Sequence, residues 1–341
     1  MATMTRTPRL RRSDPAVPGI RRWRHGRGFS YVDETGERVA EEVVLERIAE
    51  LVIPPAWRDV WICPYPGGHI QATGLDERGR KQYLYHPRWR VRRDQQKFDE
   101  MVRFARALPA LRETVGDDLA RGDMSREHVL ACATRLLDRG FFRIGSEDYA
   151  VTNSSYGLAT MRKEHVRLDG ERLRFDYPAK SGKRRVHGVV DPEVAAVVMR
   201  LKARRSGGNE LLAYRQGRRW VDIRSPDIND YLKASSGLDV SAKDFRTWGA
   251  TVLAAIALAV TEPGVTTVNA RKRAILRAVR EVAHYLGNTP AVARASYIDP
   301  RVFDRYRDGA TIRGALGEIA GDSEVTAIQG PAEVAVLELL T

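Results

Sequence analysis

The sequence predicts an α+β protein, with a small β-rich N-terminal domain followed by a larger, mainly α-helical domain that contains a small sheet or hairpin. Its 341 residues are enough for two domains. Short alternating runs of apolar and polar residues, separated by turn sequences, fill the first quarter of the chain. From about residue 94 the apolar residues recur at helical spacing. Alternation returns once, within residues 171–190.

The N-terminal part divides into a tail and a small domain. Residues 1–18 are rich in Arg, Pro and Ser, which predicts a basic, mobile tail. Residues 19–93 form the predicted β-rich domain. There "GFSYVDETGERVA" is typical of a hairpin with its turn at Thr35-Gly36, and a second hairpin is predicted around "DERG". Between them "EEVVLERIAELV" has a helical apolar stripe that ends before Pro54-Pro55.

Residues 94–341 form the predicted helical domain. "DQQKFDEMVRFARAL" has one apolar face, and "REHVLACATRLLDRG" is expected to be capped by Ser125 and to end at Gly140. "ERLRFDYPAKSGKRRVHGVV" predicts two strands joined by a turn at "AKSG". Further helices are expected to begin after capping residues, at Asp191-Pro192, Ser225-Pro226, Ser241 and Asn269.

The composition of the chain indicates which kinds of partner and which compartment are compatible with it. A formal net charge of +13 favours a polyanionic partner, with nucleic acid first and anionic membrane second. The chain has no apolar run of the roughly 18 residues that a membrane-spanning helix needs, and no secretory signal follows the basic start. Two cysteines, Cys63 and Cys132, fit a reducing cytoplasm, and the histidines show no metal-ligand spacing with them.

Four separated segments contain side chains that suit one chemical task. They are "RGFFRIGSEDYA" with Arg143, "AKSGK" with Lys180, "KDFRTWGATVLAAIAL" with Arg246, and "HYLGNTPAVARASYIDP" with Asn288 and Tyr297. In the last segment a helix is expected to break at Gly287, and the next helix to begin at Thr289-Pro290 and reach Tyr297. Taken singly, each side chain has an ordinary structural explanation. Arg246 is the least ordinary, because a guanidinium in the first turn of an apolar helix needs a partner. That partner could be Asp244 or the phosphate of a ligand.

Together these residue types fit attack on a phosphodiester. Two arginines can bind the non-bridging oxygens as negative charge builds up in the transition state, and an asparagine amide can add a neutral donor. A lysine on a hairpin can give a proton to the leaving oxygen. A tyrosine is a fair oxygen nucleophile once cations stabilise its phenolate.

In this order the segments resemble those of the type IB DNA topoisomerases of bacteria and poxviruses, from about residue 19 onward. "FFRIGSEDYAVTNSSYGLATMRKEHV" is similar to the first-arginine block of that family, and "FDYPAKSGK" to its lysine hairpin. "DFRTWGA" is similar to the second-arginine block, and "LGNTPAVARASYI" to the block with the nucleophile. The resemblance implies the fold of the tyrosine recombinase and topoisomerase IB catalytic domains.

The resemblance also implies roles. Tyr297 would be the nucleophile, Arg143 and Arg246 would bind the phosphate, Lys180 would be the general acid and Asn288 a hydrogen-bond donor to the transition state. Asn288 stands where many members have histidine, which excludes an imidazole proton relay there. The implied reaction relaxes positive and negative supercoils through a 3′-phosphotyrosyl intermediate, strand rotation and religation. It needs neither ATP nor a metal ion, because the phosphotyrosine retains the energy of the ester.

The resemblance places DNA contacts in both domains, which would close around the duplex from opposite sides. In the N-terminal DNA-binding domain, "GRKQYLYH" resembles the strand that contacts the major groove, and its candidates are Arg80, Lys81, Gln82, Tyr83 and Tyr85. Tyr149 is a candidate on the catalytic side. The expected partner is double-stranded DNA, with no membrane and no obligate protein partner. The expected protein is a monomer in the cytoplasm, associated with the nucleoid.

Two other functions remain open from the sequence. A tyrosine recombinase or integrase shares the Arg-Lys-Arg-Tyr chemistry, although such enzymes usually begin with a helical domain and carry histidines that are absent here. A DNA-binding protein without catalysis is the second alternative, and the intact set of five residues argues against it.

Overall fold

The computed structural model describes residues 9–261, 267–319 and 329–341. The chain divides into two compact units, one ending at Phe98 and the other beginning at Asp99. The first contains a five-stranded sheet, and the second contains most of the helices and two small sheets. This mixed α+β architecture confirms the predicted fold class.

Strands and helices are numbered in chain order. The strands are β1 (Ile20–His25), β2 (Gly28–Val32), β3 (Arg58–Ile62), β4 (Ile70–Leu75), β5 (Lys81–Tyr85), β6 (Val166–Asp169), β7 (Arg172–Pro178), β8 (Arg184–Val190), β9 (Ala213–Gln216) and β10 (Arg219–Asp222). The helices are α1 (Glu42–Glu50), α2 (Pro87–Ala120), α3 (Arg126–Gly140), α4 (Glu147–Asn153), α5 (Pro192–Ala203), α6 (Ser225–Ser236), α7 (Ala242–Ala259), α8 (Val268–Leu286), α9 (Pro290–Ser296), α10 (Pro300–Arg307), α11 (Leu316–Ile319) and α12 (Pro331–Leu340).

The sheet of the first unit is antiparallel, in the order β2-β1-β3-β4-β5. One face packs on α1 through a small core that includes Ile20, Ile48 and Ile62. The predicted turn at "DERG" joins β4 to β5, where the Asp76 carboxylate accepts hydrogen bonds from the backbone N–H groups of Arg78 and Arg80. The alternation in this part of the sequence therefore located the second hairpin correctly.

Part of the predicted mobile tail is held against this sheet. Residues 1–8 lie outside the described part, but the Arg11 backbone bonds Gly67 and His69, and the Trp61 indole donates to the Val17 carbonyl at 3.0 Å. Trp61, Cys63 and Ile70 form a second apolar cluster of buried residues in this unit. An Arg- and Pro-rich composition did not reveal these contacts, because they are made by the backbone.

The helices of the second unit begin close to where the capping residues predicted. Ser125 caps α3 through its hydroxyl, and α3 ends at Gly140. Two starts differ from the prediction. α2 begins at Pro87 instead of residue 94, since proline suits the first position of a helix. α8 begins at Val268, where Thr267 rather than Asn269 provides the cap.

The predicted strand pair of the second unit is β7–β8, and β6 completes its three-stranded sheet. The turn between β7 and β8 is a short 3₁₀ segment, Lys180–Gly182. Ser181 and Gly182 both have left-handed backbone angles there, with φ of 67° and 69°. This turn places Lys180 on an exposed hairpin tip.

Candidate active site

Four of the five predicted catalytic residues converge around the end of α8. Arg143 follows α3, Arg246 lies in the second turn of α7, and Asn288 follows α8. Tyr297 was expected within the last helix of its segment, but it lies one residue past α9, as the C-cap, with φ −128° and ψ −27°. The non-helical angles there end the helix at Ser296.

The helix break at Gly287 occurs as the sequence predicts. Gly287 has φ +61°, a left-handed value that favours glycine. Its N–H donates to the His284 carbonyl and the N–H of Asn288 to that of Ala283, the pattern of a Schellman motif. This motif leaves the next three carbonyls of the chain, those of residues 285–287, without a backbone partner inside the helix.

Three arginines from three different segments donate to those carbonyls. Arg185 of β8 donates to the Tyr285 oxygen, and Arg246 donates to the Leu286 oxygen at 3.0 Å. Arg143 donates to the Gly287 oxygen at 3.3 Å and to the side-chain oxygen of Asn288. The negative end of the helix dipole favours cations at this position.

Carboxylates in the described part of the chain do not pair with these arginines. None of the ion pairs among the described residues includes Arg143, Arg185 or Arg246. Asp244, the alternative partner that the sequence left open for Arg246, instead accepts hydrogen bonds from Ser241. Carbonyls orient a guanidinium without neutralising it, so the positive charge of this cluster remains available to an anion.

Arg246 is held in place by the backbone around it. It is 3% exposed and donates through Nη1 to the carbonyl of Phe141. Phe141 itself adopts a left-handed conformation, with φ 52°, at the end of α3. A Cβ at Gly249 would lie 2.6 Å from the Phe141 ring, so glycine in "RTWGA" permits this close approach. Burial, and then the charge of Arg143, lower the pKa of Arg246 to about 10.

Tyr297 lies beside these cations. The Arg246 guanidinium is 5.2 Å from the centre of the Tyr297 ring, and Lys243 Nζ is 5.9 Å from it. Burial raises the pKa of the phenol, but the charges of the surrounding cations outweigh burial, and the net pKa is below the ordinary value. Arg246 is the largest of these opposing influences, followed by Arg143 and Lys243. The neighbouring cations therefore stabilise the phenolate of Tyr297 relative to that of an exposed tyrosine.

Two buried donors in the site have no partner among the residues that the structure describes. Nε of Arg246 and Nδ2 of Asn288 make no hydrogen bond within the described part of the chain. Leaving a buried donor unpaired costs roughly 1–3 kcal/mol. A ligand with acceptor oxygens, such as a phosphate, would remove that cost.

Lys180 lies at the edge of this cluster. It shares with Arg143 a cavity of about 250 Å³, which Tyr156 also lines. The backbone of Arg143 is fixed there, because its carbonyl accepts from the N–H of Leu158 at 2.8 Å. The structure thus brings Lys180 close to Arg143, and no described contact joins Lys180 to Tyr297.

Two cations of the site, Lys243 and Arg185, were not predicted from the sequence. Lys243 precedes Arg246 by three residues, which is one turn of α7, and this helical spacing could have suggested it. Arg185 follows Lys180 by five residues, and no sequence signal distinguished it from the neighbouring Lys183 and Arg184. Its position became evident only from the contact with α8.

The predicted DNA contacts of the first unit divide between the two faces of β5. Lys81, Tyr83 and Tyr85 lie on one face, where the two tyrosine rings stack 6.1 Å apart and are 40% and 39% exposed. Gln82 alternates with them and shares the face of Leu84, which packs on the core. Gln82 and Arg80 both donate to the Asp76 carboxylate. The side chain of Tyr149 lies outside the described part.

Two family models match the chain. A family model of the eukaryotic DNA topoisomerase I catalytic core matches residues 86–312. A model of the N-terminal domain of bacterial DNA topoisomerase IB matches residues 28–76. The chain belongs to the type IB DNA topoisomerase family. The expectations of this family and of an enzyme of the isomerase class are confirmed.

Three relatives of the chain are viral DNA topoisomerases. DNA topoisomerase 1B of Acanthamoeba polyphaga mimivirus is 29% identical over 302 residues, which cover 86% of this chain and 88% of the relative. DNA topoisomerase 1B of vaccinia virus (strain Copenhagen) is 18% identical over 69% of this chain and 72% of its own. DNA topoisomerase 1 of rabbit fibroma virus is 19% identical over 75% and 78%, respectively.

No group of three or more His, Cys, Asp or Glu side chains that could hold a metal ion occurs in residues 9–261, 267–319 and 329–341. Within the same ranges, no helix is both long and apolar enough to cross a bilayer.

Proposed function

We propose that this type IB topoisomerase relaxes positive and negative supercoils in double-stranded DNA by cutting and rejoining one strand through Tyr297. The observation that carries the proposal is the arginine cluster at the end of α8, which pairs with no carboxylate among the described residues and lies beside a tyrosine of lowered pKa. A phosphodiester supplies both the anion for the cluster and the electrophile for the phenolate.

Each residue then has a distinct part. The Tyr297 oxygen forms a bond to phosphorus, and the bond from phosphorus to the 5′ oxygen breaks with its electron pair. Arg143 and Arg246 bind the non-bridging oxygens, where charge grows in the transition state. Asn288 donates through Nδ2, and Lys180 supplies the proton that the leaving 5′ oxygen takes up. The downstream duplex rotates, and the 5′-hydroxyl reverses the reaction.

The proposed reaction requires neither ATP nor a metal ion. The phosphotyrosine retains the energy of the broken ester, and the arginines supply the charge that divalent ions supply in metal-dependent nucleases. We also expect the protein to be a monomer and to act in the cytoplasm on the DNA of the nucleoid.

The exposed face of β5 is the proposed contact with the duplex in the first unit. Lys81 can bind a phosphate, and Tyr83 and Tyr85 present rings and hydroxyls to the groove. Arg80 and Gln82 can join them only by leaving Asp76, because their side chains are bonded to its carboxylate. Tyr149 stays a candidate contact on the catalytic side.

The deciding experiment traps the covalent intermediate in EDTA. Wild-type protein should relax plasmid DNA in EDTA without ATP and, after detergent quench, leave a 3′-linked adduct on Tyr297. Tyr297→Phe should bind DNA but form no adduct. Tyr214→Phe, on β9 of the same unit, is the control and should behave as wild type. Metal-free relaxation by Tyr297→Phe would show that the nucleophile is another residue, and a strict need for metal or ATP would overturn that part of the proposal.

A further inference from the structure

Arg185 joins the hairpin that carries Lys180 to the helix end that carries the arginine cluster. Its Nη2 donates to the Tyr285 carbonyl in the last turn of α8. A Cβ at Gly287 would lie only 2.6 Å from its Nη1, so the guanidinium is packed against the helix break itself. Substitution at Gly287 would therefore disturb Arg185 as well as the left-handed backbone.

The hairpin is anchored at a point close to its tip. β8 begins at Arg184, and Arg185 pairs with Tyr177 across the ladder, one pair beyond the turn. Tyr177 is 2% exposed and packs near Phe142, the residue before Arg143. Arg185 thus fixes the hairpin where a small change in direction would move Lys180 most.

Charge also distinguishes Arg185 from its neighbour. Arg184 forms an ion pair with Asp176 at 2.6 Å, and its side chain is 72% exposed. Arg185 has no ion pair among the described residues and is half-buried beside Arg143. The carbonyls and the negative end of the α8 dipole favour a cation here, and the contact of Arg185 ties the hairpin to this helix end.

We propose that Arg185 is a positioning residue for proton delivery by Lys180. It holds the β7–β8 hairpin against the carbonyl end of α8, so the Lys180 ammonium reaches the leaving 5′ oxygen. The phosphate is meanwhile bound by Arg143 and Asn288 at the same helix end. Arg185 acts through Lys180 and does not itself give the proton. This inference rests on the proposed function, in which Lys180 is the general acid.

A change of leaving group tests the inference. The substrate is a duplex containing a cleavage site mapped with the wild-type protein, made once with the natural 5′ oxygen and once with sulfur in that bridging position. A thiol has a pKa near 8.5, so a thiolate leaves without a proton. On the oxygen substrate, single-turnover cleavage by Arg185→Ala should fall toward the loss of about 10²–10⁴-fold expected for a missing general acid. The sulfur substrate should restore most of the rate.

Matched variants define the controls. Lys180→Ala should show the same loss and the same rescue by sulfur. Asn288→Ala should be slow on both substrates, because its amide stabilises the phosphate and gives no proton. Arg184→Ala should cleave both substrates within a few fold of wild type. Arg185→Lys keeps one donor for the Tyr285 carbonyl and should lie between Arg185→Ala and wild type.

The outcomes separate this inference from the function on which it rests. Failure of the wild-type protein to cleave DNA at any site, so that no substrate can be mapped, would overturn the proposed function. Normal wild-type cleavage with an unimpaired Arg185→Ala would overturn only the role of Arg185. Slow cleavage of both substrates by Arg185→Ala would also overturn it, since Arg185 would then act on the phosphate or on folding. If Arg185→Ala does not fold, the ratio of oxygen to sulfur rates for Arg185→Lys decides the question.

Discussion

The guanidinium of Arg246 lies 5.2 Å from the centre of the Tyr297 ring, although 51 residues of sequence separate the two. Arg246 is buried in α7, while Tyr297 follows the short α9. The Thr251 hydroxyl, also on α7, donates to the Tyr297 carbonyl at 3.3 Å and fixes the backbone of the tyrosine. The cation and the nucleophile are therefore held by the same helix.

This relationship predicts the pH dependence of cleavage. Because the neighbouring cations lower the pKa of Tyr297, the rate should rise with pH and level off below the ordinary phenol value of about 10. Arg246→Gln removes the strongest of these cations, so the plateau should move to higher pH. The maximal rate should also fall by roughly 10²–10³-fold. Single-turnover cleavage measured from about pH 6 to 10 gives both quantities. An unchanged inflection in Arg246→Gln would mean that another group titrates.

Substitutions in the two proposed DNA-contacting regions should have different effects, one on the cleavage rate and the other on DNA affinity. Arg143→Ala should lose cleavage rate by roughly 10²–10³-fold with little change in DNA affinity, because its contact strengthens as charge grows in the transition state. Lys81→Ala should instead weaken binding and lower the salt dependence by about one unit, with the cleavage rate of bound DNA retained. Equal losses of rate and affinity in Arg143→Ala would indicate that this arginine only holds the duplex.

Much of the fold could be predicted because its signals are local. Ser125 capped α3, Gly287 ended α8, and the alternation in "RLRFDY" located β7. Contacts made by backbone carbonyls could not be predicted in the same way. The sequence offered Asp244 or a phosphate as partner for Arg246, whereas the described partners are two carbonyls from distant segments. Any residue supplies a carbonyl, so no side-chain pattern reveals such partners.

The candidate site was predicted through residue types, and the differences lie in geometry. Arg143, Arg246, Asn288 and Tyr297 do converge, but Tyr297 lies past the end of α9 rather than inside it. On β5 the residues Gln82 and Tyr83 are both predicted DNA contacts, and as successive strand residues they point to opposite faces. The alternation of residues along β5 could be seen in the sequence. The hydrogen bond from Gln82 to the Asp76 carboxylate could not.

His187 predicts a dependence of stability on pH. Its ring is surrounded by Phe142, Phe175 and Tyr177, and neither ring nitrogen has a partner among the described residues. Burial, followed by nearby arginine charges, lowers its pKa to about 3. The unfolded chain, with a histidine pKa near 6.5, binds the proton more readily than the folded protein does. The free energy of unfolding should therefore fall as pH decreases from about 6.5 toward 3.

The His187→Phe variant isolates this effect. Phenylalanine keeps the aromatic packing and cannot be protonated, so its advantage over wild type should grow by up to about 1.4 kcal/mol per pH unit below 6.5. Urea unfolding at a series of pH values measures the difference between the two proteins. A difference that is constant with pH would show that His187 carries the same charge in the folded and unfolded states.

Glu333 on α12 predicts a large effect on stability far from the chemistry. It is 8% exposed and accepts hydrogen bonds from Arg112 of α2 and from the Trp248 indole of α7 at 2.7 Å. Asp138 of α3 binds the same Arg112 guanidinium and raises its pKa together with Glu333. The network thus joins three helices of the second unit to α12, and Trp248 is two residues from Arg246.

Breaking this network should destabilise the protein. Glu333→Ala leaves the Arg112 charge only partly compensated, and its free energy of unfolding should fall by about 3–5 kcal/mol, as for other broken buried pairs. Glu338→Ala, on an exposed position of the same helix, is the matched control and should change it by less than about 0.5 kcal/mol. Denaturant unfolding measures both variants. Equal midpoints for the two variants would mean that Asp138 alone compensates Arg112, and α12 would then be held by its apolar contacts.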